Sequence, residues 1–159
     1  MTSHENLLRV AYYAALLSPD KHTQVGALIL DNTSLFIQAA DCNRPPEGLS
    51  LNPEVFETPA KYEYIEHAER NALFRIGHAA NHCIMVAPWG TCPECARAII
   101  AHKISALICH KAAIMRDTPW RDKIQTGLHM LRSAGIDVSI VDKEVGMIGN
   151  LMNGKEWNP

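Results

Sequence analysis

Two helix starts with a strand-sized apolar run between them most constrain how this chain folds. They are "HAERNALF" at 67–74 and "TCPECARAIIAHK" at 91–103, separated by "CIMVAP". Helices that follow neighbouring strands of one sheet present their N-termini at the same edge, so this order brings His67 toward Cys92 and Cys95. The two cysteines sit three residues apart around a first helical turn. There both sulfurs can point at one ion, and the helix N-terminus favours thiolate charge. Pro93 suits that turn because its missing N–H would be unpaired there in any case. Three nitrogen and sulfur donors leave the fourth position of a tetrahedral zinc ion open, which is the catalytic rather than the structural arrangement. Glu69, two residues past His67, stands beside such an ion without binding it, placed to take a proton from zinc-activated water and pass it on. Taken singly the motifs say less. His-x-Glu fits a capped helix, and C-x-x-C fits a redox pair or half of a structural zinc site. Their succession in this order outweighs those readings.

The rest of the chain reads as alternating elements. A helix is expected over about Ser3–Leu17, with Thr2 and Glu5 at capping-box spacing, an apolar stripe from Leu8 to Leu16, and Pro19 ending it. "TQVGALIL" and "SLFIQAA" read as strands joined by the turn "DNTS". Residues 41–59 hold four prolines and little periodicity, a long loop of the kind that is usually functional or mobile. A helix is expected over about Ile65–Ile76, then the strand "CIMVAP", the cysteine helix, and the strand "ISALICH". "TPWRDKIQTGLHMLRSAG" places Ile124, Leu128 and Leu131 on one helix face, and "IDVSIVD" is the last strand. From Gly146 onward an irregular tail is expected. The order α-β-β-α-β-α-β-α-β predicts an α/β fold with a mixed sheet, helices on both faces and the last two strands parallel. A single domain over 1–159 is expected, with a core of about 5–142 and a tail of 143–159.

Composition sets outer limits. A chain of 159 residues, 47% hydrophobic and 20% charged, is sufficient for one buried core. A net charge of −2 gives no basic footprint for a long polyanion, so a large nucleic-acid partner is disfavoured. No apolar run approaches a membrane span, and "MTSHENLLRV" lacks a signal-peptide pattern, so a cytoplasmic protein with no membrane partner is expected. Five cysteines in a reducing compartment read as metal ligands or buried thiols.

With these motifs in place, the sequence resembles the zinc-dependent cytidine deaminase superfamily, whose signature is H-x-E followed by P-C-x-x-C. Within it, "SPDKHTQVGALIL", "KYEYIEHAERNAL" and "CARAIIAHKISALI" are most similar to the deoxycytidylate deaminase branch. The resemblance covers about residues 5–142 and implies a three-layer α-β-α fold with a five-stranded mixed sheet. It implies one catalytic Zn2+ held by His67, Cys92 and Cys95, with Glu69 as proton shuttle. It also implies a nucleotide pocket with Asn43 contacting the substrate, Val25, Gly26 and Ala27 in its floor, and Ala68 within it. Trp89 could stack on a base or fill the core. Tyr62 and Tyr64 could gate the site or pack under the loop. Arg44, Arg116 and Arg121 are the candidates for binding phosphate. A second, structural zinc at His78, His82, Cys83, Cys109 and His110 is not expected. A homo-oligomer is implied.

Departures from the family pattern bear on the substrate. Thr91 stands where the family has proline before the first cysteine, and "DCNRPPEG" replaces its Gly-Tyr-Asn-Gly motif. The expected activity is hydrolytic deamination of dCMP to dUMP and ammonia, without assured control by dCTP or dTTP. The alternatives are a deaminase of another aminated ring (a nucleoside, a purine base or another heterocycle) and a zinc-stabilised binding module.

Overall fold

The computed structural model describes residues 3–77 and 80–159. Strand β1 (Gly26–Asp31) carries an unbroken apolar run and is buried along almost its whole length. It pairs antiparallel with β2 (Ile37–Cys42) on one side and with β3 (Cys83–Val86) on the other. β3 pairs parallel with β4 (Ala106–His110), and β4 parallel with β5 (Asp137–Val141), giving the order β2-β1-β3-β4-β5. This is the expected five-stranded mixed sheet with its last two strands parallel.

Strand alternation divides the core into two layers. Leu28, Leu30, Val86 and Ile108 face helix α1 (His4–Ala15) through Leu8, Ala11 and Tyr12. Ala27, Ile29, Met85 and Leu107 face the opposite side. There they meet Leu73 of α3 (Ala68–Ile76), Ile99 of α4 (Pro93–Ala101), and Leu128 and Leu131 of α6 (Arg121–Ser133). The first helix is capped by Ser3, whose Oγ accepts the Asn6 N–H at 3.3 Å. Thr2, the cap expected from the sequence, lies outside the described residues. At Gly26 a Cβ would fall 2.1 Å from the Ala11 carbonyl oxygen, so α1 rests directly on the start of β1.

Two expectations need correction. The helix expected from Ile65 begins at Ala68. Glu66 instead forms an antiparallel bridge with Arg44, and a separate turn of helix, α2 (Lys61–Tyr64), precedes it. The tail is not irregular from Gly146: Asn150–Met152 (β6) and Lys155–Trp157 (β7) form an antiparallel hairpin. Asn153 and Gly154 turn it with φ of 52° and 71°, as a tight hairpin of right-handed twist requires. Three-residue strands are too short to show a period, but the Asn-Gly pair was a readable turn signal. A short helix, α5 (Lys111–Ile114), also follows β4. Among the described residues, no helix is long and apolar enough to cross a membrane.

The topology gathers loops at one edge. β2 and β3 are both antiparallel to β1, so their C-terminal ends lie together, beside the N-terminal end of β1. The segments leading into α3 and α4 start from that edge, where open α/β sheets usually place their ligands.

Candidate active site

His67 occupies the cap position of α3 and Cys92 that of α4, each with extended backbone just before its helix. The His67 Nδ1 lies 3.6 Å from Cys92 Sγ and 3.4 Å from Cys95 Sγ, and the three donor atoms fall within 4.8 Å of one another. Tetrahedral zinc with ordinary Zn–N and Zn–S bonds sets such donors about 3.5 Å apart, so the donor set fits one zinc ion. Thiol chemistry agrees. The hydrogen bond from Cys95, helped by His67 and opposed by burial, holds the Cys92 thiol down to about 3. Cys92 in turn, and then burial, push Cys95 up. Such a pair holds one proton between two sulfurs and readily gives it up to a divalent cation.

Glu69 is 5% exposed on the first turn of α3, and burial pushes its carboxyl above the usual range. For His67, burial opposes the charged form, but the hydrogen bond to Cys92 and the charge of Glu69 outweigh it and raise its pKa. Arg70 joins the two ligand helices. Its Nη1 lies 3.5 Å from Cys95 Sγ while its Nε donates to Glu66 at 2.7 Å, and the same Glu66 oxygen accepts the His67 N–H at 2.8 Å.

His67, Ala68, Glu69 and Cys92 line a cavity of about 210 Å³. Of the other residues singled out in the sequence, Val25, Asn43, Trp89 and Tyr62 also line it. Asn43 has both ends of its amide engaged with backbone, accepting the Val25 N–H at 2.8 Å and donating to the Thr23 carbonyl at 2.9 Å. It therefore braces the wall that Val25 and Thr23 form. Trp89 touches the cavity and also packs edge-on against Trp157, with centroids 5.5 Å apart.

Other candidates lie elsewhere. Gly26 sits against α1 rather than in the cavity floor, and Ala27 is fully buried in the core. Tyr64 is exposed and is not part of the lining. Arg44 pairs with Asp41 at 2.7 Å, and Arg116 lies over the Trp157 ring at 4.7 Å. Arg121 opens α6, and none of these three arginines belongs to the lining. Of the residues considered for a second metal, His78 lies outside the described residues. His110 is bound instead by Tyr12 Oη at 2.7 Å and by the Lys143 carbonyl at 2.9 Å.

The cavity has walls that the sequence did not suggest. Trp120 stands edge-on to His67, with centroids 5.8 Å apart, and is flanked by Thr118, Pro119 and Ile124. Asp20 is buried and receives Lys61 Nζ at 2.8 and 2.9 Å. That ion pair ties the segment carrying His22 and Thr23 to α2, which carries Tyr62. Asn153 enters from the C-terminal hairpin.

Residues 1–111 match the cytidine and deoxycytidylate deaminase zinc-binding region. A deaminase from Aliivibrio fischeri is 32% identical over 122 residues, 77% of this chain and 82% of that protein. Mouse deoxycytidylate deaminase is 34% identical over 111 residues, 65% of this chain. The match spans 62% of the mouse protein, so the chain covers less than two thirds of that relative. The crystal structure of dCMP deaminase from the cyanophage S-TIM5 superposes with a TM-score of 0.68 at 20% identity, over 89% of this chain and 100% of that one. At that identity the likeness is one of fold. With a family match over most of its length and a donor set fit for one catalytic zinc, the chain belongs to the zinc-binding cytidine and deoxycytidylate deaminase family of hydrolytic deaminases.

Proposed function

We propose that the chain deaminates a cytosine deoxynucleotide, converting dCMP and water to dUMP and ammonia. The observation that carries this reading is the three-donor cluster standing beside buried Glu69 on the wall of one cavity. His67, Cys92 and Cys95 would hold the zinc ion, which would supply Lewis-acid activation of water. Glu69 moves the protons: it takes one from the attacking water, delivers it to ring N3, and passes the next to the departing amine. A C4–O bond forms, the C4–N bond breaks, and the nitrogen leaves as ammonia. Burial raises the proton affinity of Glu69, which suits a group that must accept a proton. Val25, Ala68, Trp120 and Ile124 offer a flat ring apolar walls that exclude water. The deoxycytidylate deaminases among the matched relatives support dCMP in particular.

One observation favours a second reading, an unphosphorylated aminated ring as substrate. No lysine or arginine belongs to the cavity lining among the described residues, so a phosphate would meet no guanidinium or ammonium group there. Ammonia release from dCMP, dCTP, cytidine, adenosine and guanine separates the two. The expected result is the highest kcat/KM on dCMP; a value on dCMP no higher than on the others removes the proposal.

A further inference from the structure

We infer that Asn153, carried into the cavity by the C-terminal hairpin, determines specificity by contacting the phosphate of the substrate. This rests on the functional reading above and extends it to a segment beyond the 1–111 region of the family match.

The hairpin is built into the fold. Met152 and Trp157 are buried in the core layer of α1, where Trp157 packs edge-on against Tyr12 at 5.6 Å and stacks on His110 at 6.4 Å. Its turn is stitched to the segment before β1. The Gln24 N–H donates to the Leu151 carbonyl at 2.9 Å, and the Leu151 N–H donates to Gln24 Oε1 at 3.2 Å. The Asn153 N–H donates to Thr23 Oγ1 at 3.1 Å, and the Gly154 N–H to the His22 carbonyl at 2.8 Å. These bonds hold the backbone of the turn and leave the Asn153 side chain exposed at the cavity.

The lining assigns the two ends of a substrate. A ring whose amino carbon is attacked must lie at His67, Glu69 and Cys92, against the apolar walls. What extends from the ring must then meet the remaining polar side chains. Asp20 is held by Lys61, Asn43 is spent on Val25 and Thr23, and Thr23 accepts from the turn itself. His22 contacts Thr23 Oγ1, and Thr118 Oγ1 accepts the Trp120 N–H. The Tyr62 hydroxyl and the Asn153 amide have no hydrogen bond among the described residues. Of these two, the amide offers two N–H donors, which suits phosphate oxygens.

The test uses two variants that keep the turn, since glycine and aspartate both tolerate φ above zero there. Asn153→Gly removes the amide; Asn153→Asp keeps its shape and adds a charge that repels phosphate. KM and kcat are measured on dCMP and deoxycytidine. Asn153→Gly is expected to raise KM for dCMP about tenfold or more, the loss of one hydrogen bond to a charged group. Asn153→Asp should raise it further, by an amount that shrinks as salt is added. In both variants kcat on dCMP and KM for deoxycytidine stay near wild type. Unchanged KM for dCMP in both variants, or equal shifts on the two substrates, overturns the inference alone. Wild-type protein that releases ammonia from neither substrate overturns the functional reading and the inference with it.

Discussion

At the residue scale, the ligands and their supports differ in how they could be read. The gathering of His67, Cys92 and Cys95, with Glu69 on the same cavity wall, was legible because metal chemistry demands particular side chains at particular spacings, and both motifs are local. Arg70 was not, since its value depends on a helix 25 residues further on. It gives the Cys95 sulfur an N–H donor and a positive charge, while Glu66 fixes it to the backbone of His67. Such outer partners typically contribute 10- to 100-fold in metal affinity. Arg70→Met, which keeps the side-chain length but removes donor and charge, is therefore expected to weaken zinc binding at least about tenfold in a chelator competition. Affinity equal to wild type would show that the Arg70–Cys95 contact does not support the metal. Trp120 escaped the sequence reading for the same reason as Arg70: it reaches His67 only through the fold.

At the element scale, the order of helices and strands was readable because periods of 3.6 and 2 persist over long segments. The ends were less so. Helix α3 starts at Ala68 because Glu66 is drawn into a bridge with Arg44 and the Asn71 amide donates to the Cys42 and Arg44 carbonyls. None of those partners is near in sequence. The contact between α6 and the cysteine turn is equally non-local. Gly127 lies mid-helix, where glycine is ordinarily unfavourable, yet a Cβ there would fall 2.0 Å from the Thr91 carbonyl oxygen and 3.0 Å from the Cys92 carbonyl carbon. Helix α6 thus presses on the backbone that presents Cys92, one of the three clustered donors. Gly127→Ala must push the two apart, at a cost of about 1–3 kcal/mol or more, despite alanine's better helix propensity. A lowered denaturation midpoint together with weaker zinc binding is the expected result. A variant as stable as wild type would mean that α6 can shift freely.

At the scale of the whole molecule, one sheet edge collects the site. The N-terminal end of β1 brings Val25, the exits of β2 and β3 lead to His67 and the cysteines, and the exit of β4 leads through α5 to Trp120. The mixed sheet and its two covered faces followed from the element order alone. The closing of the cavity by the C-terminal hairpin did not, because it depends on Met152 and Trp157 finding a place against α1. The same limit applies to Asp20 and Lys61, which lie 41 residues apart and form a buried pair that braces the cavity walls. The site's chemistry can be tested apart from its substrate preference by measuring zinc content, and ammonia release from whichever of dCMP, dCTP, cytidine, adenosine and guanine the wild type turns over fastest, on the same preparations of wild-type and Glu69→Gln protein. Near one zinc per chain in both, with turnover lowered by several orders of magnitude in the variant, is expected of a proton carrier beside an intact metal site. Turnover retained in zinc-loaded Glu69→Gln would contradict the assignment.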